Sequence, residues 1–321
     1  MNGSPLSRVK LAHLPTPIHP LPRLSTELGG PQLWVKRDDM TGLAFGGNKI
    51  RKLEFLLAEA QAQNARTLIT RGAIQSNHCR QTAAAAACQG LDCILVLTGN
   101  PPQTTTGNTL LDQLLGAQIV WTEDRDLDIA FQETFEQAYS DGRRPYLIPY
   151  GGSNPVGASA YSAAMAEFME QNTPIDRIVF ATSSGGTQAG MIVGASLHGY
   201  TGKITGISIN PPAIKIKPQI AALAIETAAL LNHPLEITAD QVEVNDSYLG
   251  GGYGVVSDLE RDAIRLFAQQ EGLLLDPVYT GRAAGGLIDL IRNGEIGSEE
   301  RVLFWHTGGT PALFAYAEEL A

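Results

Sequence analysis

The sequence predicts an α/β fold: parallel twisted sheets with helices on both faces, divided into two lobes. Three observations predict it. Short apolar strands alternate with amphipathic helices along most of the chain, the pattern of βαβ units. The chain has 321 residues, a length that suits one large domain or two lobes. The run Gly151-Gly152-Ser153-Asn154-Pro155 interrupts the alternation and reads as a crossing between lobes. Hydrophobic residues make up 44% and charged residues 17%, enough apolar material for a sizeable core.

Taken in order, the segment from 11 to 24 is rich in proline and should be extended. Leu33–Arg37 reads as a strand, and Asp38-Asp39 as a polar turn. Gly46-Gly47-Asn48-Lys49 follows, where two glycines permit a tight turn and Asn48 suits a helix N-cap. Leu53, Leu56, Leu57 and Ala60 then recur at the spacing of one helix face. Strands are expected at 67–70, 93–98, 119–122 and 146–148. Helices are expected at 77–89, 106–115 and 129–140. Beyond the crossing, helices fall at 157–171, 188–198, 217–231, 258–270 and 282–293. The strands between them fall at 177–181, 204–209 and 301–305, and Pro311 opens a final helix.

The net charge of −10 argues against nucleic acid or an anionic membrane surface as partner. No apolar run is long enough to span a bilayer, and the first ten residues carry no signal-peptide stretch. Three cysteines cannot all pair, which suits reduced thiols in the cytoplasm. Six scattered histidines show no metal-ligand spacing, so no metal site is expected.

The residues that carry chemistry sit where strands feed helices. Lys49 starts a helix, where the positive end of the dipole disfavours its charge, which suits a lysine that forms a Schiff base. Ser183-Ser184-Gly185-Gly186-Thr187 places backbone N–H groups and hydroxyls at a helix N-terminus, a cradle for an anion. It lacks the lysine of a nucleoside-triphosphate loop and the spacing of a dinucleotide loop. Gln75-Ser76-Asn77-His78 can cap a helix or grip a carboxylate. Tyr253 and Tyr279 lie in glycine-containing loops near strand ends, where open α/β sheets bind ligands. Thr307 and Gly308 follow the last strand.

GGNKIRKLEF, QSNHCRQTAAAAA, SSGGTQAG, DPVYTG and HTGG, in this order and over nearly the whole chain, resemble the D-cysteine desulfhydrase and 1-aminocyclopropane-1-carboxylate deaminase family. These are pyridoxal 5′-phosphate (PLP) enzymes of the tryptophan-synthase β-like fold (fold type II). The resemblance implies a large lobe of 1–51 plus 157–321 and a small lobe of 52–156. It implies that Lys49 holds PLP covalently, that Asn77 meets the ring hydroxyl and that Ser76 meets the substrate carboxylate. Ser184, Gly185, Gly186 and Thr187 would hold the phosphate, and Thr307 with Gly308 would face the ring nitrogen. Asn48 would also contact the cofactor. His78, Thr280 and the two tyrosines would contact a small amino-acid substrate. A cytoplasmic homodimer is implied as well.

The deaminases resemble one another in a Tyr-Glu-Gly sequence where this chain has Tyr279-Thr280-Gly281, the desulfhydrase pattern. A neutral threonine leaves the cofactor a milder electron sink, sufficient for β-elimination. The expected reaction converts D-cysteine to pyruvate, sulfide and ammonia, with Lys49 as base at the α-carbon. L-cysteate sulfo-lyase and cyclopropane deaminase share the same site as alternatives. A PLP carrier without turnover, or a phosphosugar-binding protein using only the Ser184 loop, are the non-enzyme alternatives.

Overall fold

The computed structural model describes residues 6–321. The first part of the chain forms β1 (Ile18–Pro20), α1 (Pro22–Glu27), β2 (Gln32–Arg37), α2 (Asn48–Ala62), β3 (Thr67–Gly72) and α3 (Asn77–Cys88). Next come β4 (Asp92–Leu97), α4 (Gly107–Leu114), β5 (Gln118–Trp121), α5 (Leu127–Ser140), β6 (Pro145–Leu147) and α6 (Pro155–Glu170). The last part supplies β7 (Arg177–Thr182), α7 (Gly186–His198), β8 (Lys203–Ser208), α8 (Ala213–Leu230) and β9 (Val244–Asn245). It ends with α9 (Asp258–Glu271), α10 (Thr280–Arg292), β10 (Arg301–His306) and α11 (Ala317–Leu320).

The strands fall into two sheets. The larger has the order β1-β2-β10-β7-β8-β9, and the smaller β5-β4-β3-β6. All pairs are parallel except β1 with β2. Parallel sheets bury both faces, so alternate residues of one strand feed different cores. On β10, Val302 and Phe304 join Val35, Phe267 and Leu287 on one side of the large sheet. Leu303 and Trp305 join Phe168, Phe180 and Met191 on the other. The small sheet repeats the arrangement. Leu68 and Leu95 pack on Ile50, Leu53 and Ala83, while Ile69, Ile94 and Val96 face Ala130 and Ala138.

Helix α7 lies against α6 along a stripe of small residues. A Cβ at Gly190 would strike the Ala158 carbonyl, and one at Gly194 would come within 2.6 Å of Met165. At the head of the same stripe, a Cβ on Gly186 would lie 2.5 Å from Ser153 Oγ.

Three local expectations change. In the proline segment Ile18–Pro20 is extended as expected and pairs at a sheet edge, but Pro22 opens the short helix α1 where extended chain was expected. Helix α8 begins at Ala213 rather than 217, with Pro218 inside it. Proline withholds a hydrogen bond from the carbonyl of Ile214, and that residue is 83% exposed, so water can serve the carbonyl. The final helix is a 3-10 segment, Thr310–Tyr316, before the short α11.

One polar cluster crosses this apolar frame. Asp38, fully buried after β2, accepts hydrogen bonds from Arg51 Nε and Nη2 at 3.0 and 2.8 Å. It also accepts from Thr16, Tyr161 and Trp305. Arg51 continues to Glu167, which also holds Lys36. Burial alone would raise the Asp38 pKa, but the Arg51 charge and hydrogen bonds outweigh it and hold the carboxyl below its ordinary 3.8. A carboxyl depressed on folding stabilises the protein above its unfolded pKa and loses that contribution as pH falls through the folded value. Asp38→Asn leaves Arg51 buried without its main counter-charge and should cost about 3–5 kcal/mol in urea unfolding near pH 7. The difference from the natural protein should shrink below pH 4; a constant difference would contradict the ionic account.

Candidate active site

The carboxyl ends of β3, β7 and β10 converge on one cavity between the two sheets, with an empty volume of about 620 Å³ counted out to its mouth. The turn before α2 delivers Lys49 there. Gly46 and Gly47 adopt φ of 62° and 124°, and a Cβ on Gly46 would strike the Asp39 carbonyl. Parallel pairing of β2 with β10 sets this turn beside Thr307, whose carbonyl accepts from Asn48 N at 2.9 Å. The helix cap differs from the expected one. Gly47 is the N-cap without a side chain, and Gln81 of α3 accepts from Ile50 N instead. Asn48 is the first helical residue, and its side chain reaches across to Thr187 Oγ1 at 3.2 Å.

Lys49 lines the cavity, and no hydrogen bond ties its Nζ to another described residue. Burial pushes its pKa down to about 8 from 10.5. Ser76 caps α3 by accepting from Cys79 N at 3.2 Å, which leaves its own hydroxyl proton to offer. Asn77, Ser184, Gly185, Thr187, Thr307 and Gly308 line the same space. Gly186 stands just behind it, its N–H donating to Ser153 Oγ at 3.2 Å. Tyr279 faces the cavity and Tyr253 sits behind it, their hydroxyls 2.8 Å apart and their rings edge to face. Burial raises both phenols, so both stay protonated and one hydroxyl proton remains beyond their mutual bond.

Two expected substrate contacts read differently. Thr280 is fully buried and does not line the cavity; its hydroxyl donates to Asp276 Oδ1 and accepts from Asp276 N, both at 2.8 Å. As the first residue of α10, it turns back onto Asp276 in the irregular segment before the helix. His78 does line the cavity, but its Nε2 lies 2.9 Å from Thr70 Oγ1. Burial, then the charges of Lys49 and Lys52, drive its pKa well down, so it offers a carboxylate no positive charge.

Other residues of the site were not read from the sequence. Lys52 stands one turn beyond Lys49, and its Nζ donates to Gly151 O at 3.1 Å and Ser153 Oγ at 3.3 Å. The three-residue spacing from Lys49 was the available signal. Burial, then the Lys49 charge, lowers its pKa strongly. Tyr150 and Gly151 come from the segment between β6 and α6. A Cβ on Gly151 would strike Ser184 Oγ and lie 3.4 Å from Lys49 Nζ, filling the gap between lysine and cradle. Among the described residues no group of metal-ligating side chains is found.

Known proteins fit this geometry. The family described as pyridoxal-phosphate dependent enzyme matches residues 9–308. The D-cysteine desulfhydrases of Salmonella typhi and Salmonella newport are each 44% identical over 319 residues, 96% of either chain. The chain belongs to the pyridoxal-phosphate-dependent enzyme family, in the branch of the D-cysteine desulfhydrases. The crystal structure of an ACC deaminase homologue superposes with a TM-score of 0.92 at 40% identity, covering 98% of this chain and 96% of that one. A fungal L-serine ammonia-lyase from Rhizomucor miehei shares the fold, with a TM-score of 0.70 at 18% identity over 97% of this chain and 98% of that one.

The residues present suit PLP. Lys49 lines the cavity, Lys52 lies one turn beyond it against Gly151 and Ser153, and no carboxylate lines the space, so an anion is welcome. The Ser184–Thr187 turn opens α7, where a phosphate is favoured. The Gly151 gap leaves room between that turn and Lys49. Because capture of the cofactor aldehyde requires a neutral amine, covalent loading of apo-protein should rise with pH around a midpoint of about 8. A midpoint near 10 in stopped-flow absorbance would contradict the buried state of Lys49.

Proposed function

We propose that the protein is a carbon–sulfur lyase that removes the β-substituent of a small amino acid, with D-cysteine giving pyruvate, hydrogen sulfide and ammonia. The observation that carries this reading is the convergence of Lys49, Ser76 and Tyr279 on one carboxylate-free cavity in a chain 44% identical to D-cysteine desulfhydrases. The bound cofactor supplies an electron sink for the pair left at the α-carbon.

The side chains account for the remaining chemistry. Lys49 Nζ, its pKa lowered to about 8 by burial, accepts the α-proton. The free hydroxyl proton of Ser76, with N–H groups at the head of α3, holds the substrate carboxylate. The Tyr253–Tyr279 pair presents one proton toward the departing sulfur. Ser184, Gly185 and Thr187 keep the phosphate with Gly186 shaping the turn behind them, Asn48 contacts the cofactor beside Thr187, and Thr307 and Gly308 face the ring nitrogen. Such a substrate grip has no purpose in a carrier, which disfavours the non-enzyme alternatives.

The 40% identical ACC deaminase homologue keeps ring opening of 1-aminocyclopropane-1-carboxylate as the second reading. With Thr280 bound to Asp276 behind the cavity, substrate choice falls to Tyr279, Ser76 and the loops around them. The lobes at 1–51 plus 157–321 and at 52–156 belong to this reading, supported by the division of strands between two sheets. So does a cytoplasmic homodimer; no described helix is long and apolar enough to cross a membrane.

Steady-state turnover of D-cysteine, L-cysteine, D-serine, L-cysteate and 1-aminocyclopropane-1-carboxylate by one preparation tests the substrate. The highest kcat/KM should belong to D-cysteine, and equal or better turnover of the cyclopropane substrate would reverse the assignment. Borohydride reduction followed by peptide mapping should fix the cofactor on Lys49. Label on Lys52 or elsewhere would sink the site.

A further inference from the structure

Behind the cavity, one guanidinium holds three parts of the site. Arg80, fully buried on α3, donates from Nη2 to the Gly46 carbonyl at 2.8 Å, in the turn that carries Lys49. Its Nη1 donates to Asn77 Oδ1 at 3.0 Å and to Asn108 Oδ1 at 2.6 Å. Asn108, at the start of α4 and also fully buried, donates from Nδ2 to Asn77 Oδ1 at 2.9 Å and to the Gln75 carbonyl at 2.8 Å.

This arrangement removes the usual ambiguity of amide orientation. Arginine has donors only and a backbone carbonyl accepts only. The atoms of Asn77 and Asn108 that face Arg80 are therefore oxygens, and the Asn108 atom that faces Gln75 O is nitrogen. Asn77 Oδ1 thus receives two donors from inside the protein. Its amide nitrogen, the only polar atom left on the side chain, has no partner among the described residues, and Asn77 lines the cavity.

We propose that Arg80 and Asn108 are positioning residues that lock Asn77 with its N–H group toward the cavity, making that point a donor to an anionic ligand oxygen. The proposal rests on the reading that Asn77 meets the cofactor ring hydroxyl. A locked donor favours the ionised ring oxygen over the protonated one, because hydrogen bonding to a charged form stabilises it. A freely rotating amide could present either its oxygen or its nitrogen and would not discriminate. Through Gly46, the same guanidinium keeps Lys49 and Asn77 in register.

The test uses apo-protein and 4′-deoxypyridoxine 5′-phosphate, which keeps the ring hydroxyl and phosphate but cannot react with Lys49. Its 3-O-methyl counterpart has no ionisable ring oxygen. The natural protein should prefer the hydroxyl compound, and Asn108→Ala should reduce that preference roughly tenfold, the effect of a hydrogen bond to a charged group. The loaded Asn108→Ala variant should also show a larger fraction of the absorbance band of the protonated ring oxygen. Arg80→Met should do the same and Arg80→Lys restore part of the preference; if Arg80→Met does not fold, Asn108→Ala decides. Equal weakening of both compounds, or an unchanged preference and spectrum, would reduce Arg80 and Asn108 to structural supports and overturn the proposal. Failure of the natural protein to bind either compound would instead overturn the cofactor reading beneath it.

Discussion

The position of Lys49 depends on a buried charge pair two residues away. Arg51 and Asp38 lie on opposite sides of the glycine turn, one on the first helical turn of α2 and the other just after β2. Their hydrogen bonds close the Asp38–Arg51 segment into a loop whose ends cannot separate without exposing two charges to an apolar interior. Trp305 and Tyr161 contribute their polar atoms to the same carboxylate, so the large-sheet core and the lysine turn are joined at one point. The arrangement is costly in desolvation, and its return is placement: helix α2 enters the cavity at one angle.

The cavity itself is a place of unbalanced bases. Burial lowers the proton affinity of Lys49, Lys52 and His78, the Lys49 charge adds to the effect on the other two, and no carboxylate lines the space to restore it. Such a site is poorly balanced until an anion with a phosphate group completes it. Burial is what keeps Lys49 able to act as an amine near neutrality. Readiness for proton transfer therefore comes from desolvation, and affinity for an anion from the lack of a carboxylate in the lining.

Much of this was legible because the site is assembled from contiguous segments at strand-to-helix junctions. Lys49, Ser76, Asn77, the Ser184 loop and Thr307 each sit in a loop or at the head of a helix whose flanking periodicities are strong, so their placement at one end of the sheets followed from topology. Thr280 was misplaced for a local reason. Its neighbour Tyr279 is the N-cap of α10, and a single residue step at a cap turns the side chain from cavity to core. Lys52 shares a helix face with Lys49, but spacing alone does not say which face meets the cavity. Arg80 and Asn108 are separated by 28 residues and meet only when α3 packs on α4, so no local pattern carries their pairing. Strand β9 is two residues long, too short for alternation to register.

The glycine stripe on α7 gives the phosphate cradle an unusual kind of support. The helix that presents the cradle is held against α6 by backbone contact at Gly190 and Gly194 rather than by charged side chains. Contact forces of this type have no proton to lose, whereas the Asp38 cluster that aims Lys49 is ionic and buried from salt. The two halves of the site thus answer differently to acid: protonation of Asp38 reaches the arm that carries the amine, while the packing behind the cradle holds no group to titrate.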